Sequence, residues 1–183
     1  MKYFRKVLLL LFLFALPYHL VAQVSQQDQH SIRSAREATN MISCEDYSSI
    51  KYNGYTNGEL DATKGDSSKI KQLWGDYTSV DVDKIIGEYD YFYGENRFTF
   101  YDSTLTSLSI KESDWAVTVL GKKINVGDTL SELKKKFGKD LKIQYNYGYD
   151  VSFSCDMIDS ESFSIDLDPD TNKVMAITYV VFT

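Results

Sequence analysis

The chain has 183 residues, of which 43% are apolar, and its 20 Lys+Arg against 26 Asp+Glu give a formal net charge of −6. An acidic chain repels phosphate backbones and anionic lipid, so nucleic-acid binding is disfavoured. Fourteen tyrosines and ten phenylalanines against two prolines lean toward strands, because aromatic rings suit a pleated, half-buried surface.

Lys2, Arg5 and Lys6 stand in front of an unbroken apolar run from Val7 to Leu16, which ends at Pro17; Val21-Ala22 then leads into polar Gln23. A positive start, a short apolar stretch and a small residue before polar sequence make residues 1–22 a secretory signal peptide. Leu20 is not the small residue preferred three places before a cut, so the cleavage site is less sharply written than the signal. A membrane-spanning helix needs roughly 20 apolar residues, far more than Val7–Leu16 supplies, so no integral membrane segment is expected after cleavage. No cysteine stands directly after the run, the first being Cys44 far downstream, which argues against a lipid anchor. The expected localisation is periplasmic or secreted. Cutting the signal away removes three basic residues and no acidic one, and takes the formal net charge from −6 to −9.

Cys44 and Cys155 are the only cysteines. In an oxidising compartment an even count is consistent with a disulfide, which over so long a loop contributes on the order of 4–5 kcal/mol; two separate thiols are the alternative. Neither has a histidine neighbour or a CxxC partner, so neither reads as a nucleophile or a zinc ligand.

Residues 23–42 are polar, rich in Gln and Ser, and read as an extended or frayed segment. The domain proper is expected over 43–183. Ser49–Tyr52 and Tyr55 flank Asn53-Gly54, a favoured two-residue turn. Ser67–Trp74 puts Ile70, Leu73 and Trp74 on one helical face, and Gly75 stops the helix. Tyr89, Tyr91 and Tyr93 alternate along a strand that turns at Gly94-Glu95-Asn96 and returns through Phe98 and Phe100 toward Leu105–Ile110. Trp115–Leu120 reads as another strand. Thr129-x-x-Glu132 is a capping box, followed by Leu130, Leu133 and Phe137 at helical spacing and a stop at Gly138. Strands are expected over Lys142–Tyr147, Val151–Cys155, Phe163–Leu167 and Val174–Phe182.

The halves echo one another. Gly65-Asp66 before Ile70, Leu73 and Trp74-Gly75 corresponds to Gly127-Asp128 before Leu133 and Phe137-Gly138, and Tyr91-Phe92-Tyr93-Gly94 corresponds to Tyr145-Asn146-Tyr147-Gly148. The expected fold class is therefore α+β, as two similar units (about 43–112 and 113–183), each a short helix packed on a small antiparallel sheet. The stretch Ile124-Asn125-Val126-Gly127-Asp128-Thr129-Leu130-Ser131-Glu132-Leu133 through Phe137-Gly138 resembles the helix-opening motif of the SmpA/OmlA (BamE) family of small outer-membrane lipoproteins. It is also similar to the tandem repeats of β-lactamase inhibitor proteins. The resemblance implies a helix on a small antiparallel sheet and, from the lipoprotein family, an accessory role in an outer-membrane complex. It departs from the lipoproteins in lacking a cysteine after the signal, and from the inhibitors in having no disulfide within each half.

Chemistry-bearing motifs are sparse. Past the signal, His30 is the one histidine, and it sits in the polar segment, where no nucleophile is held beside it. No GxGxxG, P-loop or HExxH occurs, so no cofactor and no metal is expected. Asp166, Asp168, Asp170 and Asn172 resemble the start of a calcium loop, but Thr171 and Ile177 stand where an EF-hand needs glycine and glutamate; Pro169-Asp170 instead fits a turn. Lysines 134, 135, 136 and 139 point around a helix rather than along one face. The remaining signal is tyrosine, which pairs contact area with a polar tip. Tyr89, Tyr91, Tyr93, Tyr101, Tyr145 and Tyr147 are the candidate binding residues, lining a sheet face that meets a protein or a glycan in the cell envelope or outside it. A non-enzymatic binding module is the first expectation. A carboxylate-dependent hydrolase of envelope polymers is the second.

Overall fold

The computed structural model describes residues 39–145, 148–155 and 160–182. The signal peptide 1–22, His30 and Tyr147 lie outside the described residues.

Short helices and their caps come first. Helix α1 (Cys44–Ser48) starts at Ser43, whose hydroxyl accepts from the Asp46 amide at 3.0 Å. Strands β2 (Lys51–Tyr52) and β3 (Tyr55–Thr56) form a hairpin at Asn53-Gly54, where both residues have positive φ (46° and 101°), the requirement of a type I′ turn. Helix α2 (Asn57–Asp61) opens with a full capping box between Thr56 and Glu59. Helix α3 (Ser67–Trp74) is capped by Asp66 and ends at Gly75. Helix α4 (Leu130–Phe137) carries the expected Thr129–Glu132 box and ends at Gly138. Each helix buries little: Tyr47, Leu60, Ile70 and Leu133 are the fully buried residues of α1, α2, α3 and α4 in turn.

Strands dominate. With β1 (Asn40–Met41), β4 (Ser79–Asp83), β5 (Glu88–Tyr93), β6 (Asn96–Tyr101), β7 (Thr104–Ile110), β8 (Ala116–Val119), β9 (Lys122–Asn125), β10 (Asp150–Ser154), β11 (Glu161–Leu167) and β12 (Val174–Val181), two sheets form. The larger has eight strands in the order β1-β10-β11-β12-β7-β6-β5-β4, and the smaller four in the order β3-β2-β8-β9. All pairs are antiparallel except β1 with β10.

This overturns the expected α+β fold of two helix-on-sheet units. The chain is mostly β, and strands from both halves belong to one sheet. Strands β7 and β12 pair directly, with Leu108 opposite Tyr179 and Ile110 opposite Ile177, so the halves share a continuous hydrogen-bonded ladder. Helices of five or eight residues cannot cover a sheet of their own; the second sheet completes the cover, with Tyr52 of β2 packed edge-on against Phe163 and tilted against Tyr179. Trp74 of α3 lies against Phe98 and Trp115 at 4.6 and 5.0 Å, and Phe137 of α4 against Phe153 at 5.3 Å. Each large apolar side chain fully buried here stabilises by roughly 1.5–3 kcal/mol.

Two local expectations also change. Of the expected strand Lys142–Tyr147, residues 142–145 are described and form none: Gln144 makes an isolated bridge to Asp150, and the Asn40 side chain donates to the Lys142 carbonyl (3.0 Å) and accepts from its amide (2.9 Å). Residues 40–41, expected in the frayed segment, form β1 by pairing in parallel with β10 at Phe153 and Ser154. Cys44 and Cys155 are disulfide-bonded, with Cα atoms 5.1 Å apart, and tie α1 to the end of β10.

Candidate functional site

Alternation along the strands gives the large sheet two unlike faces. The helices and the smaller sheet pack on the first, through Val151, Phe153, Phe163, Ile165, Ile177, Tyr179, Leu108, Ile110, Phe98, Phe100, Tyr91 and Tyr93. The second face is polar. Across it Ser152, Ser164, Thr178 and Ser109 stand opposite one another on β10, β11, β12 and β7, and the row continues into Arg97 and Phe92 on β6 and β5. Strand spacing of about 4.8 Å sets the repeat of this hydroxyl row. The neighbouring row runs Ser162, Val180, Ser107, Thr99, Asp90 and Asp81.

Carboxylates organise both ends. At one end Asp150 and Asp166 are strand partners. Asp166 accepts from Ser164 (3.1 Å) and Thr178 (3.0 Å), and Asp150 accepts from Ser152 (2.5 Å). Burial pushes the Asp150 carboxyl above the ordinary range; the Ser152 hydroxyl opposes this and the Asp166 charge adds to it. At the other end Asp90, only 8% exposed, accepts from Thr99 at 2.6 Å and forms a two-pronged ion pair with Arg97 at 2.9 and 2.6 Å. Because these hydroxyl protons are given to carboxylates, Ser152, Ser164 and Thr178 offer lone pairs outward, while Thr99 is buried beside Asp90. The Ser152–Ser164–Thr178 part of the face is a row of acceptors, with the Arg97 guanidinium beyond Ser109.

The candidate tyrosines are scattered by this architecture. Tyr91 and Tyr93 point into the core; the Tyr91 hydroxyl donates to the Gly65 carbonyl (2.7 Å) and that of Tyr93 to Gly75 (3.1 Å). Burial pushes the Tyr93 hydroxyl up to about 12, with Tyr77 adding to the effect. Tyr89 is half-buried on the same side. Tyr101 and Tyr145 are exposed (45% and 70%), but one closes β6 and the other precedes β10, on opposite sides of β12 in the sheet order. No shared tyrosine face forms among the described residues. The reason is the strand period: residues 89, 91 and 93 fall together on whichever face is covered. Tyr145 instead stacks on Tyr149 at 5.4 Å, and Tyr149 donates to Asn172. The serine and threonine row was missed because no single strand shows it. Its signal is the polar half of each alternating strand, such as Ser152-x-Ser154 and Ser162-x-Ser164-x-Asp166, which gains meaning only in register.

Asp168 resolves as turn chemistry, accepting from the amides of Asp170 (2.9 Å) and Thr171 (2.8 Å). No group of three or more metal-ligating side chains lies together among the described residues. Asp150 and Asp166 point the same way from adjacent strands, whereas glycoside hydrolysis needs carboxyls facing each other across a bond.

No family model and no curated protein matches the sequence. Among solved structures, the chain is similar to part of an extracellular protein containing a SCP domain from Bacillus anthracis str. Ames, with 12% identity and a TM-score of 0.34 over 64% of this chain and 43% of that one. The match spans less than half of that protein's length, and at this level it informs neither fold nor function. The disulfide is the firmer guide. Such a bond marks a protein that folds outside the reducing cytosol. No helix among the described residues is long and apolar enough to cross a membrane.

Proposed function

We propose that this is a secreted or periplasmic binding protein that works through the second face of its eight-stranded sheet, with a neutral glycan as its ligand. The observation that carries this reading is the hydroxyl row Ser152, Ser164, Thr178 and Ser109, in register on four adjacent strands. Side chains held on rigid strands at a fixed repeat suit a ligand with its own repeat laid across the strands. Acceptors flanked by Asp150, Asp166 and Asp90 favour a ligand rich in O–H donors and repel an anionic polymer. Phe92, half-buried at the end of the row beside Arg97, offers a ring for the apolar side of a sugar.

The test is calorimetric titration of neutral and anionic envelope polysaccharides into the wild type and a Ser164→Val/Thr178→Val variant. Binding of a neutral polymer that the variant loses supports the reading. Equal binding by both proteins, or binding of the anionic polymers alone, rejects it.

A further inference from the structure

We propose that β4 is a docking edge for an extended polypeptide segment of another protein, in which basic and apolar residues alternate, added as a further strand of the large sheet. The edge is separate from the hydroxyl row and does not depend on it. Strand β4 pairs with β5 on one side, and among the described residues no strand pairs on its other side. An unpaired strand presents a row of free amides and carbonyls, the template for strand addition.

The other sheet edges are blunted. Strands β1 and β3 have two residues each, and β9 carries exposed Lys122 and Lys123. Strand β4 offers five residues, with Ser79, Asp81, Val82 and Asp83 exposed, and it is flanked by apolar surface. Val82 is 43% exposed, Ile86 49% and Ile85 96%, the last with almost its whole side chain in water.

Alternation then specifies the occupant. On the hydroxyl-row side β4 presents Asp81 and Asp83, opposite Asp90 and Glu88 of β5. Of the nearby cations, Arg97 is already held by Asp90 at 2.6 Å, and exposed Lys84 follows Asp83 in the turn beyond the strand. On the other side it presents Val80 and Val82. An incoming strand gains most by setting lysine or arginine beside the aspartates and apolar residues beside the valines. A second copy of this chain is disfavoured, because β4 against β4 sets Asp81 and Asp83 among their own kind. The same carboxylates that keep copies apart select a basic partner.

The experiment titrates the full chain with short peptides alternating lysine and valine, or glutamate and valine, while hydrogen exchange reports amide protection. The lysine peptide is expected to bind and to protect the amides of Ser79–Asp83 that point away from β5. Asp81→Asn/Asp83→Asn is expected to weaken it about fivefold, the effect of two cross-strand charge pairs. Thermal unfolding of that variant, expected nearly unchanged because Asp81 is exposed and asparagine keeps the oxygen with which Asp83 accepts from the Ile85 and Ile86 amides (2.9 and 3.3 Å), confirms that it is folded. Undiminished binding by the variant, equal binding of the glutamate peptide, protection elsewhere, or self-association of the wild type through β4 overturns the proposal. Loss of the hydroxyl row by Ser164→Val/Thr178→Val leaves peptide binding intact, so the two sites fail separately.

Discussion

The Tyr91 hydroxyl reaches across 26 residues of sequence to donate to the Gly65 carbonyl at 2.7 Å, fastening the loop before α3 to the centre of β5. Gly65 sits at φ +66°, and a side chain there would begin 3.2 Å from the Phe100 side chain. Gly65→Ala combines a left-handed backbone with a tight contact, and is expected to cost about 1–3 kcal/mol. Tyr91→Phe keeps the ring and loses the hydrogen bond, for about 1 kcal/mol. Chemical denaturation of both variants checks the order.

The disulfide joins residues separated by 111 positions. Cys44→Ala/Cys155→Ala is expected to lower stability by about 3–5 kcal/mol, chiefly by freeing the unfolded chain. Urea unfolding with and without reductant measures this. The wild type should fall to the level of the variant on reduction.

Asp150 has a carboxyl raised by burial and by Asp166, against the opposing Ser152 hydrogen bond. A raised folded value means that the neutral form is favoured in the native state. The associated stability is present below the unfolded value of about 3.9 and is lost as pH rises through the folded one. Asp150→Asn removes that loss. Melting temperatures followed upward from pH 3 should show the variant gaining on the wild type as the pH passes through the interval between those two values, and holding its lead above it. Parallel curves would refute the assignment.

Phe100 is fully buried between β5 and β7, edge-on to Tyr91 at 6.1 Å. Phe100→Ala is expected to cost about 3–5 kcal/mol. Tyr145→Ala, at a side chain 70% exposed, should change stability by less than about 0.5 kcal/mol. A thermal shift comparison separates them.

Local signals were read well from sequence. The Thr129–Glu132 box, the stops at Gly75 and Gly138 and the Asn53-Gly54 hairpin are set by neighbours within a few residues, and each is where its chemistry puts it. What escaped was long-range. Nothing near Leu108 announces that Tyr179 will lie opposite it, so the halves looked like separate units. Strand β4 carries no strong strand signal in sequence, since its valines face one side and its aspartates the other over just five residues. The hydroxyl row had the same handicap, because it exists only across strands.

Strand β12, the last strand of the described residues, is hydrogen-bonded in mid-sheet between β11 and β7. The ladder therefore stays open until residues 174–181 arrive, and β7 waits for a neighbour synthesised more than sixty positions later. Contacts so distant in sequence form slowly. The hairpins on either side, β4 to β7 and β10 to β12, pair with sequence neighbours, so closing the β7–β12 ladder is expected to be the late, slow step that turns two meanders into one sheet.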